Sequence, residues 1–268
     1  IADDEDGGKL VSKDLEPATI YVEQNHPEMN VKKIYLDAYN QITTAGGQRY
    51  PDVNNEIIRM IESGSLLTCF VGHGNPTSAT AERVMSIGQV RDYSNIDRLT
   101  LFVSATCEFA RVDDSEMLSI GEWMVLNEVG GAVAIMATTR AVYISTNSVV
   151  TSNFFKNVFD RDAQGRPQTF GEILLKTKNS SSGIGNRSFL LLGDPALRIA
   201  LPYNEVVLDS INNVGVNIAK DTIRALSKVR MKGYIQDQYG NKLTNYNGII
   251  QPSVYDKMTQ RKTLGQDA

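Results

Sequence analysis

Leu66-Leu-Thr-Cys-Phe-Val71, then Gly72-His73-Gly74, and after a polar passage Leu101-Phe-Val-Ser-Ala105, Thr106-Cys107-Glu108-Phe109, carry the reading of the fold. Two apolar runs of strand length each end in a residue capable of covalent chemistry, His73 after the first and Cys107 after the second. In a parallel sheet both runs point the same way, so both side chains arrive at one edge, where open α/β sheets place their sites. A thiol beside an imidazole is the minimum for an activated sulfur nucleophile: the histidine takes the proton and the thiolate attacks. Gly72 and Gly74 are read as permitting a tight turn out of the strand and a close approach of substrate to the main chain. The amides of Gly74 and Cys107 are then the expected oxyanion hole.

A plainer reading stands beside this one. Isolated cysteines are more often buried small hydrophobes than nucleophiles, and Cys69, inside the first apolar run, fits that description. Cys107 differs because it ends a strand and shares an edge with one of only two histidines. The other, His26, precedes a proline in a polar segment and reads as a surface residue.

Composition narrows the classes. The 268 residues suffice for one large domain and a small one. Hydrophobic content of 41% and charged content of 22% are those of an ordinary globular protein. A net charge of −4, with no Lys/Arg stripe, argues against nucleic acid. There is no apolar run long enough for a transmembrane helix. The opening, Ile1 to Asp6, reads as a strand end running into an acidic loop, not as a signal peptide, and suggests a piece of something longer.

Strand and helix signals alternate through the first 202 residues. Helix-like spacing covers about 16–26, a second strand is expected over Lys32–Asp37, and Pro51 opens a helix closed by Gly64. Ser115 is the expected cap of a helix running to about Val129. Gly131–Ala137 is a buried strand whose exit loop, Thr138–Ser145, returns to the edge of His73 and Cys107. Helices are expected over Asn147–Phe159 and Phe170–Lys178, a mobile loop over Asn179–Asn186, and a turn at Gly193-Asp194-Pro195 with a structural role for Asp194. The alternation implies a mostly parallel sheet with helices on both faces. From Tyr203 to Ala268 the signals become strand-like, over Val206–Leu208, Val229–Ile235 and Ile249–Tyr255, with a hairpin turn at Asp237–Asn241. Residues 203–268 therefore read as a partial all-β module.

Four motifs in this order, Gly72-His73-Gly74, Ser104-Ala-Thr-Cys-Glu-Phe-Ala-Arg111, Gly130-Gly-Ala-Val-Ala-Ile-Met-Ala-Thr-Thr-Arg140 and Leu191-Leu-Gly-Asp-Pro-Ala-Leu-Arg198, resemble the gingipain family of cysteine peptidases. Cys107-Glu108-Phe109 and Ala137-Thr138-Thr139-Arg140 look most like its sortase branch, which serves the type IX secretion system. The resemblance covers about residues 1–202 and continues into the module after it. It implies a caspase-like fold followed by an immunoglobulin-like module, with His73 and Cys107 as the catalytic pair. It also implies an acidic residue near the imidazole, with Asp4 the preferred counterpart while Asp3 and Glu5 stay open, and a substrate pocket walled by the loop bearing Arg140 and Tyr143. No cofactor is implied and no metal ligands are assigned; whether calcium binds is left open. The implied partners are protein or peptide substrates, for the sortase branch the C-terminal sorting domain of cargo, with lipopolysaccharide as acceptor and an outer-membrane secretion partner. The implied place is the cell surface, outer membrane or exterior. A secreted protease, or a non-catalytic adhesin or scaffold module in which the Cys/His pair is incidental, are the competing readings.

Overall fold

The computed structural model describes residues 1–216, 223–224, 226–250 and 252. The chain divides into two compact units, the first spanning Ile1–Ile199 and the second beginning at Ala200.

The first unit is built on four strands, β1 (Leu67–Val71), β2 (Thr100–Ala105), β3 (Ala132–Thr138) and β4 (Phe189–Leu192), adjacent in that order. The β1–β2 and β2–β3 pairs are parallel and β4 runs antiparallel to β3. Beyond β1, Ala2 bridges in parallel to Val71 on one side and to Tyr35 on the other. The expected second strand is thus reduced to a bridge, because Leu36–Ala38 winds into a 3-10 turn.

Near-continuous apolar runs are what strands covered on both faces require. Phe70, Phe102, Ile135 and Ala137 belong to a core completed by Val53, Ile57 and Ile61 of α2 (Pro51–Ser63) and by Ile120 and Met124 of α3 (Ile120–Leu126). The 53/57/61 spacing keeps one stripe of α2 inward. Pro51 starts that helix where an amide is unneeded, and Gly64, at φ 95°, ends it. Phe70 and Phe102 are wholly buried, which contributes roughly 1.5–3 kcal/mol each. Against the other face, α4 (Ile144–Asn157) packs on β2 and also touches the first helix, α1 (Glu16–Asn25), and α5 (Phe170–Ser180).

Several boundaries differ from expectation, and the helix expected over Asn147–Phe159 runs Ile144–Asn157. Ser119, not Ser115, caps α3, through a capping box with Glu122. The serine- and glycine-rich passage 179–186 is structured: α5 runs through Ser180, Ile184–Ser188 forms a 3-10 turn, and Asn186 Nδ2 donates to the carbonyls of Lys178 and Ser181. Its short polar side chains bond to the backbone locally instead of leaving it to solvent.

In the second unit the strands Asn204–Ile211, Val214–Gly215 and Met231–Asp237 form one antiparallel sheet. The turn after Asp237 has Gly240 at φ 83°, with Asp237 Oδ1 accepting from the amides of Tyr239 and Asn241. An immunoglobulin-like sandwich needs two facing sheets, and the described residues of this unit make one. The strand expected over 249–255 falls partly outside the described residues; Ile249 and Ile250 are not in a strand.

Candidate active site

Register fixes where the two expected catalytic residues stand. Val71 pairs with Ala105 across the parallel β1–β2 ladder, so His73 and Cys107 are each two residues past a matched pair. The Gly72 N–H donates to the Ala105 carbonyl at 3.4 Å, carrying the pairing one step further. Cys107 is half-buried, and Glu108 behind it is in the left-handed region at φ 52°, turning the chain off the strand.

The glycines beside His73 act differently from expectation. Neither has positive φ; both are needed because neighbours press against the chain. A Cβ on Gly72 would stand 2.5 Å from the Cβ of Asp3, and one on Gly74 would stand 2.4 Å from Thr106 Oγ1. The segment after His73 therefore lies directly on the one that leads into Cys107. Gly74→Ala should cost about 1–3 kcal/mol through this overlap, measured by urea denaturation, and adding Thr106→Ala should recover part of the loss; an unaltered midpoint in the single variant would mean the two segments are not in contact.

Past Gly74, the chain forms a tight antiparallel hairpin, Gly74–Asn75 against Ser78–Ala79. The His73 carbonyl accepts from the Thr80 N–H at 3.0 Å. This makes Gly74 and Ala79 a non-hydrogen-bonded pair, so the ladder does not use the Gly74 amide.

The acidic run is only half solvated: Glu5 and Asp6 are exposed, whereas Asp3 and Asp4 turn inward. Asp3 is fully buried; its Oδ2 accepts from the His73 N–H at 2.8 Å and its Oδ1 from the Asp4 N–H at 3.0 Å. Burial, with the nearby carboxylates of Asp4 and Glu82 adding to it, pushes the Asp3 carboxyl up to about 7, against the opposing pull of the His73 amide. Asp4 is placed differently from its expected role beside the imidazole: its Oδ2 accepts from the Tyr50 hydroxyl at 2.5 Å. Asp6 reaches the ring instead, with His73 Nε2 and Asp6 Oδ2 2.9 Å apart. Asp6, Gly7 and Gly8 all have positive φ (62°, 61° and 70°), a left-handed turn that folds the acidic run back toward His73.

Around Cys107, the Val142 N–H donates to Sγ at 3.5 Å, and the Val142 carbonyl is 3.6 Å from it. Val142 lies in the exit loop of β3, which also carries Arg140 and Tyr143. Arg140 is paired with Asp113, which it holds down at about 2, so the pair stays ionised throughout the neutral and mildly acid range. Tyr143 is 82% exposed and precedes α4. Cys69 is 8% exposed, and burial pushes its thiol up to about 11, which makes it inert near neutral pH.

Among the described residues no helix is long and apolar enough to cross a membrane.

The family description "Peptidase family C25" matches residues 1–200. No curated protein sequence matches the chain. Among solved structures, a complex of the pro- and mature domains of RgpB from Porphyromonas gingivalis is similar at 15% identity and TM-score 0.53, over 72% of this chain and 45% of that one. The Arg-specific cysteine proteinase gingipain R is similar at 18% identity and TM-score 0.48, over 58% and 39%. Dimeric latent PorU from Porphyromonas gingivalis is similar at 29% identity and TM-score 0.27, over 43% and 11%. The RgpB complex shares the fold of the first unit's mixed, mostly parallel sheet, and this chain spans less than half the length of each of the three.

Proposed function

Because the chain belongs to peptidase family C25, the gingipain family, we propose that it is a cysteine endopeptidase or transpeptidase working through Cys107 and His73. The observation that carries this reading is the matched exit of β1 and β2, which brings both residues past the Val71–Ala105 pair at the same sheet edge. Asp6 orients the imidazole from Nε2, leaving Nδ1 to exchange a proton with the thiol. The thiolate attacks the scissile carbonyl, and the negative oxygen is received by the amides of Gly74 and Cys107. The C–N bond then breaks, the leaving amine takes the proton held on His73, and the acyl group remains on sulfur as a thioester.

What resolves the thioester separates protease from sortase. Water returns a free carboxylate and the thiol; an amine returns an amide and the thiol. Within the family reading we favour the sortase, on the Cys107-Glu108-Phe109 and Ala137-Thr138-Thr139-Arg140 sequences. Its substrates are secreted proteins bearing a C-terminal sorting domain, its acceptor is surface lipopolysaccharide, and its place is the outer face of the cell. Aminolysis outruns water only if the amine is held against the carbonyl at high effective molarity, and the Asn75–Glu82 loop is the nearest wall for such a site. Full-length enzyme given cargo and a labelled amino-sugar should release cargo joined to the label. Free carboxylate alone, over a wide acceptor range, would leave the protease reading.

The loop of Arg140 and Tyr143 is the proposed pocket wall. Changing either to alanine should alter KM and peptide preference with little loss of stability, since both are exposed loop positions supported by a rigid sheet. Identical kinetics across a peptide library in both variants would place the pocket elsewhere.

A further inference from the structure

We propose that the passage Ile184–Ser188 forms, together with Tyr143, an apolar ledge for the acyl part of the peptide substrate, the residues before the scissile bond, and that Ile184 selects an aliphatic or aromatic side chain there. The inference rests on the peptidase reading above and adds to it a specificity residue outside the exit loop of β3.

Topology brings the passage to the site. β1, β2 and β3 run parallel and leave the sheet at the edge of His73, Cys107 and Tyr143, whereas β4 is antiparallel and enters at that edge, with Phe189 paired to Thr138. The residues just before Phe189 therefore stand beside the exit loop of β3. Contacts at both ends hold them there. The Ser188 carbonyl accepts from the Thr139 N–H at 2.9 Å and from Thr139 Oγ1 at 3.2 Å. Gly185 lies so close to the first turn of α4 that a Cβ on it would stand 2.8 Å from Thr146 Oγ1. The Thr146 N–H in turn donates to the Tyr143 carbonyl at 2.9 Å.

The observation that points to a ligand is what this ordered backbone holds out. Ile184 is 83% exposed and Tyr143 82%, the two most exposed large apolar side chains among the described residues of the first unit, and they flank Thr146 at the edge that carries Cys107. Covering them with an apolar partner gains about 25 cal/mol per Å², and a support that is already ordered avoids the ordering cost that otherwise offsets such a gain.

The direction of the substrate follows from the proton. The leaving amine must meet the imidazole of His73, which follows β1. The acyl part then runs the other way, from β2 across β3 toward β4, the order in which the strands lie. Adjacent strands stand about 4.8 Å apart, so the entry of β4 is about 10 Å from the line of β2, the span of about three extended residues at roughly 3.3 Å each. Ile184 accordingly meets the second or third side chain before the scissile bond.

The test treats the whole protein with peptidyl acyloxymethyl ketones, whose ketone fixes the register on Cys107, carrying leucine or serine at each of the three positions before the ketone. The rate of adduct formation on Cys107 is read by intact mass. In wild type, leucine should outrun serine by about tenfold at the second or third position, the discrimination that a methylene or more against an apolar wall gives. Ile184→Ser should bring that ratio near one while leaving Tm, the rates of the serine probes and the rate with iodoacetamide unchanged, and Ile184→Leu should retain the ratio. Adducts on Cys107 with a ratio near one at every position in wild type, or a ratio that persists in Ile184→Ser, would overturn the ledge and leave the peptidase reading standing. No adduct on Cys107 with any of the probes would overturn the peptidase reading, and the ledge with it.

Discussion

Cys107→Ala should lower peptide hydrolysis by on the order of a thousandfold or more, since no other group can form the acyl intermediate. Cys69→Ala should leave turnover near wild type. Its thiol is buried in β1, and burial holds it protonated at neutral pH. The cost there is packing, about 1–3 kcal/mol, comparable to other small core truncations. Turnover on a peptide panel and urea midpoints, taken together, separate the two effects. Equal loss of turnover in two well-folded variants would remove Cys107 from its assigned role.

His73→Ala should leave the fold intact, since its side chain is half-exposed and its backbone bond to Asp3 survives the change. Alkylation of Cys107 near neutral pH should slow by an order of magnitude or more, because an ordinary cysteine, with a pKa of about 8.5, is only a few per cent thiolate there. Asp6→Asn should give a smaller drop in the same direction, as an amide can orient the ring but cannot stabilise its cation. Stopped-flow rates with iodoacetamide read both variants. Wild-type rates in His73→Ala would mean that the imidazole does nothing for the sulfur.

The parallel frame was legible because its strands are apolar throughout, and a strand covered on both faces leaves that mark on composition. The places of His73 and Cys107, two residues past a matched pair of strand ends, were legible for the same reason, as reactive residues directly behind such runs. The acidic partner was less so. Four acids in succession do not disclose which one faces the ring; that depends on the left-handed turn at Asp6-Gly7-Gly8, whose backbone angles leave only a pair of glycines as a sign. Glu82 had no sign at all, since a lone carboxylate in a polar passage reads as exposed until the fold buries it. Ser115 and Ser119 are equally good caps by residue type, and only Ser119 has a glutamate three positions on to close the box. Asn179–Asn186 reads as loose from its serines and glycines; what orders it is the Asn186 side chain reaching the carbonyls of Lys178 and Ser181.

The most direct test of the central claim is intact-mass and peptide-map analysis after treatment with a peptidyl acyloxymethyl ketone. The thiolate displaces the probe's carboxylate and forms a thioether, leaving a mass increment on one residue. The account predicts a single adduct on Cys107 in wild type, none on Cys69, and no adduct in Cys107→Ala. An adduct on Cys69, or a folded wild-type chain that remains unmodified while an ordinary thiol reagent labels Cys107 no faster than free cysteine, would contradict it.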